Sequence, residues 1–369
     1  MKKVLYVATV DIHIKTFHLP YLKLLHDNGY EVHVATNGDE EFPNCDVKHK
    51  ICVERNPFKI NNLKAIKQLK KIIEKEKFDL IHCHTPMGSV VARLAARKAR
   101  KLYGTKVIYT CHGFHFYKGG PFINWIIFYP IEKLLAKYSD TIITINKEDY
   151  NLAKSRFSKR CKSIKYLPGI GVDVTKFDFD LSNKEKENIM KELKLKKDDF
   201  IIIYPARLCH DKNQLLLLKL MQSFKDNDKI KLILPGRDEY DGYYQQFVAN
   251  NKIDNVIFLG HRNDIPKLLK ISNLLIATSI REGFGINLVE SLTCGVPVIA
   301  VDNRGHREII ENGKNGFIIK NDINDLIEKF NIIYNNHKIY DRLKDNSYNS
   351  VKKYFLDNSI NEMKKIYNI

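Results

Sequence analysis

The feature that most constrains this chain is a rhythm that runs through it twice. Short apolar runs alternate with amphipathic segments. The first set is KVLYVAT (3–9), EVHVAT (31–36), DLIHCH (79–84), KVIYTC (106–111), TIITIN (141–146) and SIKYLP (163–168). Between these runs the period changes to that of a helix. FHLPYLKLLHDNG (17–29) ends on a glycine suited to a helix C-cap. LKAIKQLKKIIEKEKF (63–78) puts Leu63, Ile66, Leu69, Ile72 and Ile73 on one face and lysines on the other. SVVARLAARKARKLYG (89–104) again ends on a glycine. Strands separated by helices predict right-handed βαβ units and a parallel sheet covered on both faces. Near residue 198 the same grammar restarts, with FIIIYPARL, IKLILPGR, VIFLGHR, LLIATS, VPVIAV and GFIIK. The stretch PGIGVDVTKFDFDLSNKEKENIMKEL between the two sets begins rich in Gly and Pro and continues as a lysine-rich helix, which reads as a linker. The expectation is an α/β protein of two doubly wound domains joined near residues 170–185, a partition that 369 residues accommodate.

Composition narrows the setting. No apolar run reaches the roughly 20 residues that cross a bilayer. The nearest, FINWIIFYPI (122–131), is short and closes near a proline. MKKVLYVATV lacks a small-residue cleavage site after its apolar run, so it is expected to be a first strand, and the expected compartment is the cytoplasm. Seven cysteines, with no C-x-x-C pair, argue against a disulfide framework. His82-Cys83-His84 has the look of a metal tripeptide, but neighbours on a strand point to opposite faces, and zinc sites need convergent ligands. No metal is expected. The net charge of +18 is uneven: residues 1–175 hold 30 Lys and Arg against 16 Asp and Glu, and residues 176–369 hold 31 against 27. The first half therefore faces something anionic.

In open α/β sheets, ligands bind beyond the carboxyl ends of the strands. The unusual residues cluster there: Thr9-Val10-Asp11, His112-Gly113, Arg207, Gly236-Arg237, Gly260-His261-Arg262 and Glu282-Gly283-Phe284-Gly285. Two such domains imply an interdomain cleft as the default site. In SIREGFGINLVE, two glutamates eight residues apart flank a glycine turn between a buried strand and a helix. The glycines would let the backbone turn sharply and approach a ligand, and the helix start offers N–H groups to phosphate. A bare pair of acids at this spacing reads as a helix charge and a loop acid. Here the surroundings favour hydroxyl binding at both ends of one ligand, as a nucleotide sugar would require. In PARLCHDKNQ, Arg207 and Lys212 flank the turn after a strand and could clamp a diphosphate; taken alone they read equally well as ordinary loop cations.

Several motifs together carry a resemblance. They are Glu282-Gly-Phe-Gly-x4-Glu290, Ala206-Arg207-Leu208-x3-Lys212-Asn213, Leu234-Pro-Gly236, Phe258-Leu-Gly260, Gly295-Val-Pro297-Val298-Ile-Ala and Gly313-x2-Gly316-Phe. The chain resembles the retaining glycosyltransferases of the GT-B, family 4 type, most fully in its C-terminal half. PGIGVD resembles the family's linker, with Ile170 where asparagine is usual. YTCHGFHFYKGG and TIITINKEDYNLAK are similar to segments of bacterial capsular and exopolysaccharide enzymes.

The resemblance implies two Rossmann-like domains, an acceptor domain over 1–175 and a nucleotide-sugar domain over 176–350, with a C-terminal helix over 351–369 returning to the first. It implies that Arg207 and Lys212 hold the diphosphate, Glu290 the ribose and Glu282 the donor sugar. Gly236, the backbone of Gly283, Phe284, Gly285, Ile286 and Asn287, and the residues His261, Arg262 and Asn263 near the base complete the donor site. His112 is placed near the reacting centre, and Glu282, Phe284 and His112 are expected to shape donor selectivity. Front-face attack, with the leaving phosphate taking the acceptor's proton, needs no carboxylate nucleophile. The Asp-x-Asp at 178–180 lies in the linker, so cations are expected in place of a metal, and no cofactor is implied. The first loop, Thr9 to His13, lacks the family's usual Gly-Gly, which turns Asp11, His13 and His18 toward an acceptor role, together with His115 and Lys118. For His18 and His115 an ordinary core or surface role is an equal alternative. A UDP-sugar epimerase of the same architecture and a non-catalytic nucleotide-sugar-binding protein are the rivals.

Lysine and arginine concentrate on 63–77 and 93–106, with the apolar FINWIIFYPIEKLL nearby. That combination suits an anionic membrane surface and a lipid-diphosphate or glycan acceptor, the chain sitting peripherally on the inner face of the plasma membrane. The alternative is a core helix and merely solvated lysines. No nucleic-acid motif accompanies the charge, and no nucleic acid is expected.

Overall fold

The computed structural model describes residues 1–369, which divide into two compact units: Met1–Ile170 with Asp357–Ile369, and Gly171–Leu356. The first division falls at Ile170, at the amino end of the Gly/Pro-rich stretch rather than at 175. In the first unit seven parallel strands, β1 (Lys2–Val7), β2 (Tyr30–Thr36), β3 (Val47–Lys50), β4 (Leu80–Cys83), β5 (Lys106–Cys111), β6 (Thr141–Thr144) and β7 (Ser163–Tyr166), lie in the order 3-2-1-4-5-6-7. Side chains alternate across this sheet. Val4 and Tyr6 join one core with Tyr21, Leu22 and Leu25. Leu5 and Val7 join the other with Leu69, Ile73 and Val91. The C-terminal helix Leu356–Tyr367 supplies Met363 and Tyr367 to the first of these cores. Tyr367 Oη meets Tyr6 Oη and, at 2.7 Å, His82 Nδ1, so these buried polar groups are paired.

Three local expectations change. β3, VKHK, is a half-buried edge strand with no apolar run to announce it. The segments 17–29 and 89–104 are each broken. Asp11–Phe17 and Leu19–Asp27 are separate helices meeting at His18, with Pro20 in the first turn of the second, and Pro86–Ala95 and Arg97–Leu102 join at Ala96. The turn expected after β1 is thus already helical from Asp11.

In the second unit six parallel strands, β8 (Phe200–Ile203), β9 (Ile230–Pro235), β10 (Val256–Gly260), β11 (Leu274–Ala277), β12 (Val298–Val301) and β13 (Gly316–Ile319), lie in the order 10-9-8-11-12-13. Strand order reverses between β1 and β4 in one unit and between β8 and β11 in the other. At such switch points adjacent connections leave to opposite faces and open a crevice at the carboxyl ends. All seven cysteines are free thiols.

Candidate functional site

At the switch point of the second unit, the loop after β8 (204–213) and the loop after β11 (278–285) are stitched together. Ile280 N–H donates to Asp211 C=O at 3.0 Å, and Thr278 Oγ1 donates to Lys212 C=O at 2.9 Å. Tyr204 Oη and Ser279 Oγ share a hydrogen bond of 2.6 Å. This stitching brings Lys212 Nζ onto the Glu282 carboxylate, both side chains about a fifth exposed. The turn after β12 closes beneath them. Asn303 caps the helix Arg304–Ile309 and donates through Nδ2 to Ser279 C=O at 2.9 Å. His306 donates from Nδ1 to Val301 C=O at 2.7 Å, and burial holds its pKa below the usual imidazole range. At Gly305 a Cβ would come within 2.8 Å of Glu282 Cβ and 2.9 Å of Phe284 N. Asn303, Gly305 and His306 support the glutamate loop, although no sequence motif marks them.

The other expected donor residues fare differently. Gly236 lies where a Cβ would meet Ala206 C=O at 1.8 Å, so the β8 and β9 ends can approach only because it is glycine. Arg207 is mostly exposed and ion-paired with Glu239. Arg262 forks onto Asp264 at 2.8 and 2.6 Å and reaches Glu192 at 2.7 Å, while His261 and Asn263 beside it are exposed after β10. The ring of Phe284 is buried edge-on against Tyr354, with centroids 5.2 Å apart. It therefore cannot shape a sugar pocket, and only its backbone can serve a ligand. Neither Gly283 nor Gly285 adopts a positive φ. Gly285 is small for packing reasons, since a Cβ would come within 3.1–3.2 Å of Leu288 and His306. Ile286 and Asn287 open the helix Ile286–Thr293, whose fifth residue is Glu290. Burial pushes the Glu290 carboxyl up to about 7, with Lys176 pulling weakly the other way.

At the switch point of the first unit the chemistry is different. Thr9 and Thr85 hydroxyls pair at 2.7 Å and tie the β1 and β4 ends. Asp11 is not free for an acceptor. It accepts from Thr36 Oγ1, from Glu40 N–H at 2.9 Å and from Lys48 Nζ at 2.9 Å. Burial pushes this carboxyl up, but those donors outweigh it and hold the pKa below its ordinary value. A Cβ on Gly38 would collide with it at 1.9 Å. His13, His18, His84 and His112 converge, the second and third fully buried. Nε2 of His13 lies 3.2 Å from His18 Nε2 and 3.3 Å from His112 Nε2, which lies 3.4 Å from His84 Nδ1. Burial drives all four pKa values down, to about 4 for His13 and well below the usual value for the others, so the rings are neutral at pH 7. His115 is apart from this group, its ring against Phe128 at 4.8 Å, and Lys118 is exposed.

Residues 185–350 match the family model for glycosyl transferases group 1, and residues 3–146 match that for glycosyl transferase 4-like domains. A Bacillus subtilis (strain 168) protein named "Putative glycosyltransferase EpsD" is 44% identical over 321 residues, covering 86% of this chain and 84% of that protein. The Escherichia coli UDP-Gal:alpha-D-GlcNAc-diphosphoundecaprenol alpha-1,3-galactosyltransferase is 29% identical over 281 residues, 74% of this chain and 70% of its own. Among solved structures, Anabaena HepE in complex with UDP and glucose superposes over 100% of both chains with a TM-score of 0.76 at 17% identity, a likeness of fold.

Proposed function

This chain belongs to the glycosyl transferases of group 1 and is a glycosyltransferase of the GT-B fold; from that premise we propose that it moves a sugar from a UDP-sugar, with retention, to a hydroxyl of a lipid-diphosphate-linked cell-surface glycan. The observation that carries the donor half is the contact of Lys212 with Glu282 at the β8/β11 switch point. It sets a sugar-binding carboxylate and a phosphate-binding cation side by side, where a nucleotide sugar has its sugar and its diphosphate side by side. On donor binding, sugar hydroxyls take Glu282 and Lys212 turns to the diphosphate. Arg207 leaves its exposed partner Glu239, an exchange that costs little because such pairs are weak. Glu290 accepts from ribose hydroxyls, and the backbone of Phe284 to Asn287 seats sugar and phosphate.

The C1–O bond to the diphosphate breaks as the acceptor oxygen bonds C1 on the same face, and the acceptor proton passes to the departing phosphate oxygen. Lys212 and Arg207 stabilise the charge that develops there, the office a metal would otherwise fill. By the family resemblance, His112 serves the reacting centre. A UDP donor and a diphosphoundecaprenol acceptor are the substrates named for the Escherichia coli relative, and UDP is bound in Anabaena HepE.

The acceptor half rests on the helix Phe122–Leu135. Phe122, Ile123, Ile126, Ile131 and Leu134 are exposed on it, while Trp125, Phe128 and Tyr129 pack inward. Its other anchor is a buried ion pair, Arg93 to Glu132 at 2.8 and 3.2 Å. No helix is long and apolar enough to cross a membrane, but this apolar face beside a basic unit suits the surface of an anionic leaflet. Incubation with UDP-sugars and isoprenoid-diphosphate glycans tests the whole reading. Transfer with retained anomeric configuration is expected; epimerisation of the donor, or binding without turnover, would overturn it.

A further inference from the structure

The four-histidine cluster exceeds what sugar transfer asks of it, since that reading draws on His112 for the reacting centre and gives His84 no role at all. Its contacts cannot all be hydrogen bonds. A ring nitrogen carries either one in-plane hydrogen or one lone pair. If His13 Nε2 accepts from both His18 and His112, then His112 Nε2 is protonated and has no lone pair for His84. If His13 Nε2 is the donor, its single hydrogen must serve two neighbours. Neutral rings whose lone pairs converge repel one another, and two of the four, His18 and His84, are buried away from water.

A cation at the centre removes the conflict. Four nitrogens bound at about 2.0–2.1 Å in a tetrahedron stand roughly 3.3–3.4 Å apart along its edges. The three closest contacts here are 3.2, 3.3 and 3.4 Å, and one nitrogen from each ring lies within 4.8 Å of all the others. We propose that His13, His18, His84 and His112 bind one divalent transition-metal ion of the zinc class through four imidazole nitrogens. A second observation points the same way. His84 Nε2, the nitrogen turned away from His112, is buried without a partner. Coordination through Nδ1 places the ring proton on that Nε2, and metal-bound histidines commonly pass this proton to an outer group. A cavity of about 10 Å³ lined by His18, His82, His84 and Thr110 adjoins it, room for a single water.

Ligand type and number set the metal and its role. All-imidazole coordination selects zinc, copper, nickel or iron over magnesium and calcium. Four protein ligands close the shell, as in structural sites, so the ion ties rather than reacts. It fastens the helix start carrying His13 and the junction residue His18 to the ends of β4 and β5, in a segment that has no glycine from Thr9 to Pro20. On the reading that gives His112 a role at the reacting centre, the ion also fixes its tautomer. Metal on Nε2 leaves the proton on Nδ1, a hydrogen-bond donor. The other histidine–carboxylate group of this unit, Glu31, His33 and Glu76, carries no such inference, because Lys3 already bridges both acids at 3.2 and 2.8 Å.

The test uses the full chain, made without a polyhistidine tag in zinc-supplemented medium and dialysed against a weak chelator. Elemental mass spectrometry should find about one zinc per chain, and cobalt replacement should give the visible bands of a tetrahedral site. His13→Gln, at the partly buried rim, and His112→Gln should keep the circular dichroism of the parent. Each should weaken zinc in competition with a chromogenic chelator by at least about tenfold, the loss that even an outer-shell change can cause. A metal-free chain that takes up no zinc in that competition overturns the proposal, as does zinc retained at parental affinity when His13→Gln and His112→Gln are combined in one chain. Zinc binding without sugar transfer would instead sink the functional reading and leave the metal site standing.

Discussion

The two units carry the same device, a strand-order reversal between β1 and β4 in one and β8 and β11 in the other, and fill it with opposite chemistry. In the second unit the crevice holds charges in pairs, Lys212 with Glu282 and Arg207 with Glu239, each partly exposed and so exchangeable for a ligand's own charges and hydroxyls. In the first it holds neutral imidazoles and hydroxyls. Asp11, at the start of the adjoining helix, is consumed by Thr36, Glu40 and Lys48. The first unit is nonetheless the more basic one, so its excess lysine and arginine sit elsewhere, on segments such as 63–77. A scaffold that decides where a ligand binds leaves the strand-end residues to decide what binds.

The largest effect should come from removing one member of the exchangeable pair. Lys212→Ala and Glu282→Ala are each expected to lower kcat by about 10²–10³, as loss of a preorganised charge stabiliser does. Thermal stability should fall only modestly, because both groups keep about a fifth of their surface in solvent and water can replace the lost partner. Steady-state kinetics beside a melting curve checks both, and full activity in either variant would break the contrast between the units. Next in size is Asp11→Ala. Here the charge is built in, and leaving Lys48 without its partner should cost about 3 kcal/mol of stability in a urea titration. Because the folded carboxyl titrates below its ordinary value, Asp11 stabilises above that value, and the benefit fades as pH falls through the folded pKa. The variant should therefore lose the corresponding part of the parent's acid-side decline.

Gly305→Ala sharpens the comparison from the packing side. Its methyl would push on Glu282 and Phe284, so donor affinity by calorimetry should fall about tenfold, the scale of one displaced hydrogen-bonding group. Far-UV circular dichroism and the histidine cluster's metal content should stay as in the parent. Gly305 also shows where the sequence stopped being readable. The strands could be read because buried parallel strands are continuous apolar runs, and the glutamate pair because its glycines and flanking strand mark a turn. What a residue's Cβ would strike belongs to three-dimensional neighbours, which is why Gly236 was seen as a ligand contact rather than as the point where Ala206 passes. Phe284 looked like a pocket wall for the same reason, although Tyr354, seventy residues on, claims its ring. The histidines come together only because β1, β4 and β5 are in register, Val7 beside Cys83 and Cys83 beside Tyr109, which brings the strand ends level. Spacing along the chain carries no trace of that register.

The smallest effect is a pH dependence at Glu290, and it should appear with opposite signs in two measurements. Burial keeps this carboxyl protonated up to about 7 in the folded chain, against 4.5 for the ordinary group. Between those values the folded state holds a proton the unfolded state has lost, so stability without ligand falls as pH rises toward 7 and then levels. Ribose hydroxyls donate to the ionised form and so favour it, which makes donor binding release a proton. Affinity for a UDP-sugar, whose diphosphate does not titrate in this range, should therefore rise between pH 6 and 8, by at most about tenfold. Glu290→Gln should abolish both slopes, raising ligand-free stability near pH 7 while weakening the donor at pH 8. A donor affinity that climbs equally in the variant would place the titrating group elsewhere and remove Glu290 from the ribose.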